Sequence, residues 1–102
     1  LHDFGSRGAS STETAEIGGA AHLVPFRGTD TMEAIDFLFK WYGANFADYP
    51  AFSVAASEHS TMTTWGQKHE RDAYANMLEK YPTGIVSVVS DSWDIFNAVD
   101  KI

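Results

Sequence analysis

The sequence predicts an α/β fold in which alternating strand and helix units build a parallel sheet. Three observations support this class. Short apolar runs bounded by turn residues are typical of buried strands, and residues 85–89 (IVSVV) form the best of them. Between these runs, apolar residues recur with the spacing of amphipathic helices. Polar and ionisable residues gather where each run passes into a helix. We expect right-handed crossovers, and the local pattern fits a closed barrel and an open sheet equally.

The first helix begins within residues 10–13 (SSTE), which have the spacing of a capping box. The helical pattern extends through about His22. Gly18 and Gly19 weaken this helix but permit close packing against a neighbour. Residues 22–26 (HLVPF) then predict a short strand, and their proline places it at a strand end or an irregular sheet edge.

A second helix follows, which Thr29 or Asp30 caps and Gly43 ends. Its apolar residues lie at i, i+3, i+4 and i+7 and form one face: Ile35, Leu38, Phe39 and Tyr42. Residues 44–50 predict a loop. Residues 52–56 (FSVAA) predict the next strand.

The second half of the chain repeats the alternation. Residues 58–61 (EHST) predict a polar helix start, and another amphipathic helix follows Gly66. Strand 85–89 comes next, and Asp91 or Ser92 caps a last helix. The apolar stripe of that last helix consists of Ile95, Ala98, Val99 and Ile102.

The composition excludes several classes of function. The chain has 7 Lys and Arg against 14 Asp and Glu, and its net charge is −7. Because it has no basic stripe, we expect no nucleic-acid partner. It has no cysteine, which excludes disulfides and thiolate zinc sites. No apolar run reaches the roughly 18 residues of a membrane span. We therefore expect no membrane association and, by default, a cytoplasmic location.

We expect residues 1–102 to be a single partial domain, an internal piece of a longer protein. The sequence opens at Leu1 inside a motif-like run and stops in a helical pattern without a cap, whereas natural domains usually end in polar linkers. A partial parallel sheet leaves strand edges and apolar helix faces uncovered. Self-association of the isolated chain is therefore expected.

Ionisable side chains concentrate where predicted strands pass into helices, which is where parallel α/β folds bind their ligands. Four such clusters are residues 2–8, 27–30, 57–61 and 90–94. Each also has a structural interpretation. Asp30, Asp91 and Ser92 occupy positions of ordinary helix caps, and His59 beside a helix start is compatible with a surface role. Two further histidines lack metal-ligand spacing and are interpreted as structural: His22 and His69.

Six motifs stand in order at these junctions. They are LHDFGxRG from Leu1, SSxETA from Ser10, HLV from His22, GTDT from Gly28, AxEHST from Ala56 and SVVSDSxDI from Ser87. Together they resemble the nicotinamide phosphoribosyltransferase family over essentially the whole chain. The resemblance implies a part of that family's α/β-barrel phosphoribosyltransferase domain. It also implies transfer of a phosphoribosyl group from phosphoribosyl pyrophosphate to nicotinamide, with release of pyrophosphate, in NAD biosynthesis.

The resemblance gives three junction residues substrate-binding roles. Phe4 stacks on the pyridine ring, and an aromatic residue of a second subunit covers the other face. Asp30 accepts a hydrogen bond from the carboxamide NH2 and would repel the carboxylate of nicotinate. Arg7 contacts the phosphate of the phosphoribosyl group. Other residues are implied to line the tunnel that leads to the base: His2, Ser53, Val54, Ala56 and Ser90.

His59 is implied to be the catalytic histidine, which ATP phosphorylates transiently. We expect a carboxylate to hold its imidazole in orientation, as in a catalytic triad, and Asp94 is the candidate rather than the adjacent Glu58. Asp94 is also the candidate for the environment of a magnesium ion. The resemblance thus implies Mg²⁺ and ATP for the parent enzyme, with neither bound tightly to this chain, and a homodimer.

Three functions remain open from the sequence. The parent protein is a nicotinamide phosphoribosyltransferase, or it is a nicotinate or other pyridine phosphoribosyltransferase on the same scaffold. Alternatively, the chain by itself is an inactive, self-associating module. Asp30 argues against the nicotinate enzyme. The family's pyrophosphate-binding segment and phosphate-binding glycines are absent from the sequence, and this favours inactivity of the isolated chain.

Overall fold

The structure is a computed structural model that describes residues 1–48 and 51–101. The chain divides into two compact units: the first is Leu1–Ser53, and the second begins at Val54. Each unit contains short parallel strands followed by helices. This confirms the α/β class. The barrel implied by the resemblance, and the assignment of both units to one partial domain, stay predictions.

The first unit places three chain segments side by side. Its elements are β1 (His2–Asp3), a short 3-10 helix (Ser6–Gly8), α1 (Thr12–His22), β2 (Gly28–Thr29), α2 (Met32–Tyr42) and a second 3-10 helix (Phe46–Asp48). Strands β1 and β2 are parallel, with His2 opposite Gly28 and Asp3 opposite Thr29. Gly28 also forms a parallel bridge with Phe52. The carboxyl ends of these segments therefore lie at one edge.

The caps predicted for the start of α1 and the end of α2 are confirmed, whereas the prediction that Thr29 or Asp30 caps the start of α2 is wrong. Helix α1 begins after Ser11, whose Oγ accepts a hydrogen bond from the backbone N of Thr14 at 3.1 Å. Such a cap contributes about 1 kcal/mol. Helix α2 ends at Gly43, which has a φ of 66° and so adopts the left-handed conformation that favours glycine. Thr31 occupies the N-cap position of α2 but makes no side-chain cap hydrogen bond.

Close packing joins α1 to α2 at Gly19. A Cβ atom added to this glycine would lie 2.6 Å from the Cβ of Ala34, whose side chain is fully buried on α2. At Gly18 an added Cβ would meet nothing within 4 Å. The predicted role of the glycine pair in close packing is therefore confirmed, and it belongs to Gly19 alone.

The predicted strand at residues 22–26 is wrong. Helix α1 extends through His22, and the amide of Phe26 donates back to the carbonyl of His22 at 3.1 Å, so the backbone turns. The His22 ring stacks on Phe26 with centroids 5.1 Å apart, and its Nε2 lies 3.0 Å from the carbonyl oxygen of Gly28. Apolar residues in this run thus cover the end of a helix, and the strand forms later, at Gly28–Thr29.

The second unit repeats the arrangement with one pair of strands. Its elements are β3 (Ala55–Ala56), α3 (His59–Trp65), a 3-10 helix (Gln67–His69), α4 (Glu70–Lys80), β4 (Val86–Ser87) and α5 (Ile95–Lys101). Strands β3 and β4 are parallel, with Ala55 opposite Val86 and Ala56 opposite Ser87. The predicted strands at 52–56 and 85–89 therefore exist, but their paired parts are only two residues long. Of the predicted apolar stripe on the last helix, Ile102 lies outside the described residues.

The last helix is capped by a different residue from the one predicted. The amide of Asn97 donates to Oδ1 of Asp94 at 3.1 Å, and the amide of Ala98 donates to the carbonyl oxygen of Asp94 at 2.9 Å. The prediction of Asp91 or Ser92 as the cap is therefore wrong. Asp91 is left outside the helix, and its side chain makes a different contact.

The buried apolar side chains among the described residues are mostly small. They are Ala15, Ala20, Ala34, Ala51, Met62, Ala73 and Ala98. Large apolar side chains remain exposed on several helices, as with Phe96 at 82% and Val99 at 77% on α5. Apolar faces of this kind usually mark contact surfaces. Among the described helices, none is both long enough and apolar enough to cross a membrane.

Candidate functional site

An ionisable cluster lies at the carboxyl ends of β1 and β2 in the first unit, and we call its four residues the Asp30 cluster: His2, Phe4, Asp30 and Ser53. The Nε2 atom of His2 lies 3.0 Å from Oδ2 of Asp30. The hydroxyl of Ser53 donates to Oδ1 of the same carboxylate. The structure thus brings together four of the residues that the sequence assigned to the base pocket.

Strand register explains why these side chains meet. Asp30 follows β2 directly, and its amide donates to the carbonyl of Asp3 at 2.7 Å. Ser53 follows Phe52, whose carbonyl accepts from the amide of Thr29 at 2.9 Å. Parallel strands end at the same edge, so residues just beyond them converge. The sequence distance between Asp30 and Ser53 does not matter for this contact.

The His2 ring packs against Gly28, which has no side chain to displace it. A Cβ atom added to Gly28 would lie 2.5 Å from Nδ1 of His2 and 3.1 Å from its Cγ. The ring therefore lies directly against the backbone of β2. Sequence reasoning did not assign Gly28 a role in the site, although the GTDT motif, in which Gly28 stands two residues before Asp30, is the signal that marks it.

The Asp30 carboxylate keeps acceptor capacity for a ligand. A carboxylate has about four lone-pair positions, and His2 and Ser53 use one on each oxygen. The Asp30 side chain is 41% exposed. Phe4 is 58% exposed, and its ring centroid lies 6.1 Å from that of His2. An accessible acceptor beside an open aromatic face suits a flat ring that carries an NH2 donor.

One further residue of the first unit was assigned to the substrate site, and it lies three positions after Phe4 in the chain. Arg7 is exposed in the 3-10 helix Ser6–Gly8, which follows Phe4. Three assigned tunnel residues belong to the second unit, where Val54 precedes β3, Ala56 ends β3 and the half-buried Ser90 follows β4.

A histidine–carboxylate pair lies at the carboxyl ends of β3 and β4 in the second unit. Nε2 of His59 lies 2.7 Å from Oδ1 of Asp91. His59 is the first residue of α3, three positions beyond β3, and Asp91 lies four positions beyond β4. Because these strands are parallel neighbours, the two side chains leave the sheet at the same edge.

Asp91, not Asp94, is the carboxylate at the His59 ring. The prediction that Asp94 orients this histidine is wrong, because its Oδ1 caps α5 at the amide of Asn97. The register of Ala56 opposite Ser87 explains the outcome, since it places Asp91 about as far beyond its strand as His59. Sequence reasoning interpreted Asp91 as a cap. Its place in the same junction as Ser90 was the signal that could have identified it.

The pair also determines which ring nitrogen of a neutral His59 carries the proton. An ionised carboxylate only accepts hydrogen bonds, so Nε2 of a neutral imidazole must carry the proton that Asp91 accepts. The lone pair is then on Nδ1. Both side chains are more than half exposed, and an exposed pair contributes at most about 1 kcal/mol to stability. The pair therefore serves to select a tautomer and an orientation.

The described residues contain no preformed cluster of metal ligands. Among residues 1–48 and 51–101, no group of three or more His, Asp or Glu side chains could hold a metal ion. Oδ1 of Asp94, the candidate ligand from the sequence, is engaged at the start of α5. Magnesium commonly takes one or two carboxylates together with substrate phosphates.

The chain is an α/β protein with ionisable side chains at the carboxyl ends of its parallel strands. These are a carboxylate beside an aromatic ring in the first unit and a histidine–carboxylate pair in the second. A model described as the nicotinate phosphoribosyltransferase (NAPRTase) family matches residues 1–102. The chain belongs to this family of pentosyltransferases. The resemblance that the six motifs indicate is therefore confirmed.

Three relatives of this chain are named nicotinamide phosphoribosyltransferase. The protein of Xanthomonas campestris pv. campestris (strain 8004) is 52% identical over 101 residues, which cover 97% of this chain and 21% of the relative. The protein of Acinetobacter baylyi is 40% identical, covering 98% and 20%. That of Mycoplasma genitalium is 38% identical, covering 99% and 20%. The chain thus spans about a fifth of the length of the curated relatives it matches.

Proposed function

We propose that the full-length protein containing this chain is a nicotinamide phosphoribosyltransferase. It transfers the phosphoribosyl group of phosphoribosyl pyrophosphate to the ring nitrogen of nicotinamide, and it releases pyrophosphate. The mononucleotide product feeds NAD biosynthesis. The observation that carries this proposal is the Asp30 carboxylate, which His2 and Ser53 hold beside the open face of Phe4.

Asp30 selects the amide over the acid. The NH2 group of nicotinamide donates to the carboxylate, whereas the carboxylate of nicotinate repels it. Like charges placed together cost several kcal/mol, and each 1.4 kcal/mol is about a factor of ten in affinity. The two held oxygens limit reorientation of Asp30 away from a wrong base. Because its position is fixed, the negative charge of Asp30 discriminates between nicotinamide and nicotinate.

The other assigned residues complete the substrate site in this proposal. The Arg7 guanidinium binds the phosphate of the phosphoribosyl group, since its planar fork matches phosphate oxygens. Val54, Ala56 and Ser90 line the approach to the base. A homodimer supplies the aromatic residue that covers the second face of the pyridine ring above Phe4. The location proposed for this enzyme is cytoplasmic.

His59 couples ATP to the transfer in this proposal. The Nδ1 lone pair attacks the γ-phosphorus of ATP, the bond to the bridging β,γ-oxygen breaks, and ADP leaves. Asp91 holds the Nε2 proton throughout and stabilises the positive charge that the ring acquires. Magnesium would supply charge neutralisation on the phosphates. Asp94 remains the candidate for the magnesium environment and for a catalytic role.

A nicotinate phosphoribosyltransferase is the second candidate, because the matching family model has that description. The same transfer chemistry serves both bases. The Asp30 carboxylate favours nicotinamide, since a nicotinate site needs a donor or cation at the position of the base's carboxylate.

The test replaces Asp30 in the full-length protein with alanine. We expect kcat/KM for nicotinamide to fall at least tenfold, since loss of a charge-assisted hydrogen bond costs about 1.5–3 kcal/mol. Activity with nicotinate should fall less or rise. Asp36→Ala, which removes an exposed carboxylate from α2, is the matched control. An Asp30→Ala enzyme that kept the wild-type preference between the two bases would refute the proposal.

A further inference from the structure

A hydrogen bond between two side chains joins the start of α2 to the 3-10 helix Ser6–Gly8. The hydroxyl of Ser6 donates to Oε1 of Glu33 at 2.8 Å, across 27 positions of the chain. Glu33 is the second residue of α2, and both side chains are half-buried. Neither residue belongs to the Asp30 cluster or has a role in the proposed function. The contact therefore needs an explanation of its own.

The Glu33 carboxyl is ionised at neutral pH, which gives this hydrogen bond its direction. Its own backbone amide lowers the pKa of Glu33 below the usual value, the hydroxyl of Ser6 lowers it further, and partial burial opposes both. An ionised carboxylate only accepts hydrogen bonds, so the proton comes from Ser6. A hydrogen bond to a charged acceptor is about twice as strong as one between neutral groups. Glu33 is therefore a firm anchor for the Ser6 side chain.

The anchored serine stands next to the residue proposed to bind phosphate. Arg7 follows Ser6 directly and is the middle residue of the 3-10 helix. Within this helix, the amide of Gly8 donates to the carbonyl of Gly5 at 2.9 Å, and the amide of Ala9 donates to the carbonyl of Ser6 at 3.1 Å. These backbone bonds shape the turn itself but join it to no other element, whereas the contact with Glu33 does.

The segment before this helix has a separate anchor at the strand edge. Oδ1 of Asp3 accepts a hydrogen bond from the amide of Gly5 at 2.9 Å, and the carbonyl of Asp3 accepts one from the amide of Asp30 at 2.7 Å. Phe4 lies between Asp3 and Gly5 in the chain and is therefore held from the side of β2. The base-binding end of the segment thus does not depend on Glu33.

We infer that Glu33 is a positioning residue for phosphate binding, which holds Ser6 and thereby sets where the 3-10 helix presents the guanidinium of Arg7. The inference rests on the proposed function, in which Arg7 binds the phosphate of the phosphoribosyl group. Glu33 acts through Ser6 and not on the phosphate, which a carboxylate would repel. Its effect therefore belongs to ligands that carry this phosphate and not to nicotinamide.

The first test is Glu33→Ala in the full-length protein, with Glu13→Ala as the control. Glu13 is likewise the second residue of its helix, α1, so its removal alters the charge at a helix start in the same way but leaves the partner of Ser6 in place. In Glu33→Ala we expect KM for phosphoribosyl pyrophosphate to rise about tenfold, because a misplaced guanidinium binds phosphate less well. KM for nicotinamide should stay within about twofold.

A conservative variant separates positioning from a general loss of structure. Glu33→Gln keeps an oxygen that accepts from Ser6, so its KM for phosphoribosyl pyrophosphate should rise by no more than about threefold. An unchanged KM for phosphoribosyl pyrophosphate in Glu33→Ala would overturn the inference. An equal rise in Glu13→Ala would do so as well.

A double-mutant cycle tests whether Glu33 acts through Arg7. Residues that work through one contact do not have additive effects. In the Arg7→Ala background, Glu33→Ala should therefore change KM for phosphoribosyl pyrophosphate by less than about twofold, and Ser6→Ala alone should reproduce the effect of Glu33→Ala. A full tenfold effect of Glu33→Ala in the absence of Arg7 would contradict the positioning role.

Amide hydrogen exchange of Gly8 and Ala9 reports on the 3-10 helix without turnover, and it distinguishes failure of the inference from failure of the proposed function. We expect exchange about tenfold faster than wild type in Glu33→Ala, and unchanged exchange in Glu13→Ala. Faster exchange in Glu33→Ala, together with an Arg7→Ala enzyme of unchanged KM for phosphoribosyl pyrophosphate, would support the anchoring and refute the phosphate role of Arg7. A raised KM in Arg7→Ala, with neither exchange nor KM altered in Glu33→Ala, would do the reverse.

Discussion

At the scale of single residues, the Asp30 cluster depends on Gly28, because the His2 ring occupies the space that a side chain at position 28 would fill. Gly28→Ala places a methyl group where the His2 ring lies, at 2.5 Å from Nδ1. The ring must move, and Asp30 loses its partner on Oδ2. We expect kcat/KM for nicotinamide in the full-length protein to fall at least tenfold. Gly18→Ala is the control, and steady-state kinetics of both variants are the measurement. Equal kinetics in the two variants would contradict the account.

A second prediction at this scale separates the roles of Asp91 and Asp94. These aspartates lie three residues apart but make different contacts, one with His59 and the other at the start of α5. Asp91→Ala removes the partner of His59, so ATP-dependent phosphorylation of His59 should fall about tenfold or more. Asp94→Ala removes the cap of α5 and should lower the free energy of unfolding by about 1 kcal/mol. Phosphorylation assays and thermal melts of both variants test this. If Asp94→Ala lost phosphorylation and Asp91→Ala kept it, Asp94 would be the orienting residue after all.

The sequence predicted where the candidate site residues lie, but not which side chains contact each other there. Asp30 and His59 stand in motifs at strand ends, where ligand chemistry in parallel folds is expected. The contact of His59 with Asp91 depends on the register of β3 against β4, which no local pattern encodes. Asp91 and Asp94 are only three residues apart, yet only the carboxylate of Asp91 contacts the His59 ring. Pairing partners across a sheet are therefore the part that sequence reasoning alone does not supply.

At the scale of elements, the contact between α1 and α2 depends on Gly19. Gly19→Ala should gain up to about 1 kcal/mol of helix propensity but lose more to the clash with Ala34, since overpacking a buried contact costs about 1–3 kcal/mol. Gly18→Ala gains the propensity without the clash. We expect opposite shifts in the melting temperature of the full-length protein. A stabilised Gly19→Ala protein would contradict the packing described here.

The helices were more predictable than the strands. Ser11 and Gly43 mark helix ends by local hydrogen bonding and backbone conformation, which the sequence shows directly. Residues 22–26 have the composition of a strand but form a turn at the end of α1, because the amide of Phe26 donates to the carbonyl of His22. Strand pairing requires a neighbouring chain segment, and that neighbour is chosen by tertiary structure.

At the scale of the whole molecule, the chain exposes more large apolar surface than an isolated domain usually does. On helix α5, Phe96 is 82% exposed, Val99 is 77% exposed and Ile95 is about two-fifths exposed. Trp93, in the segment just before α5, is also about two-fifths exposed. Such faces associate in water. We propose that the isolated 102-residue chain self-associates and forms no mononucleotide. Light scattering and a product assay are the measurements. A clean monomer, or measurable turnover, would contradict this expectation.

We propose that the Asp30 carboxylate makes the full-length protein an enzyme for nicotinamide rather than nicotinate. The most direct measurement is a competition in which nicotinamide and nicotinate are present together at equal concentration with phosphoribosyl pyrophosphate. The ratio of the two mononucleotides formed gives the ratio of the two kcat/KM values. We expect an excess of nicotinamide mononucleotide of at least about a hundredfold, because charge repulsion of nicotinate by Asp30 costs several kcal/mol. Equal amounts of the two products, or an excess of the nicotinate product, would contradict it.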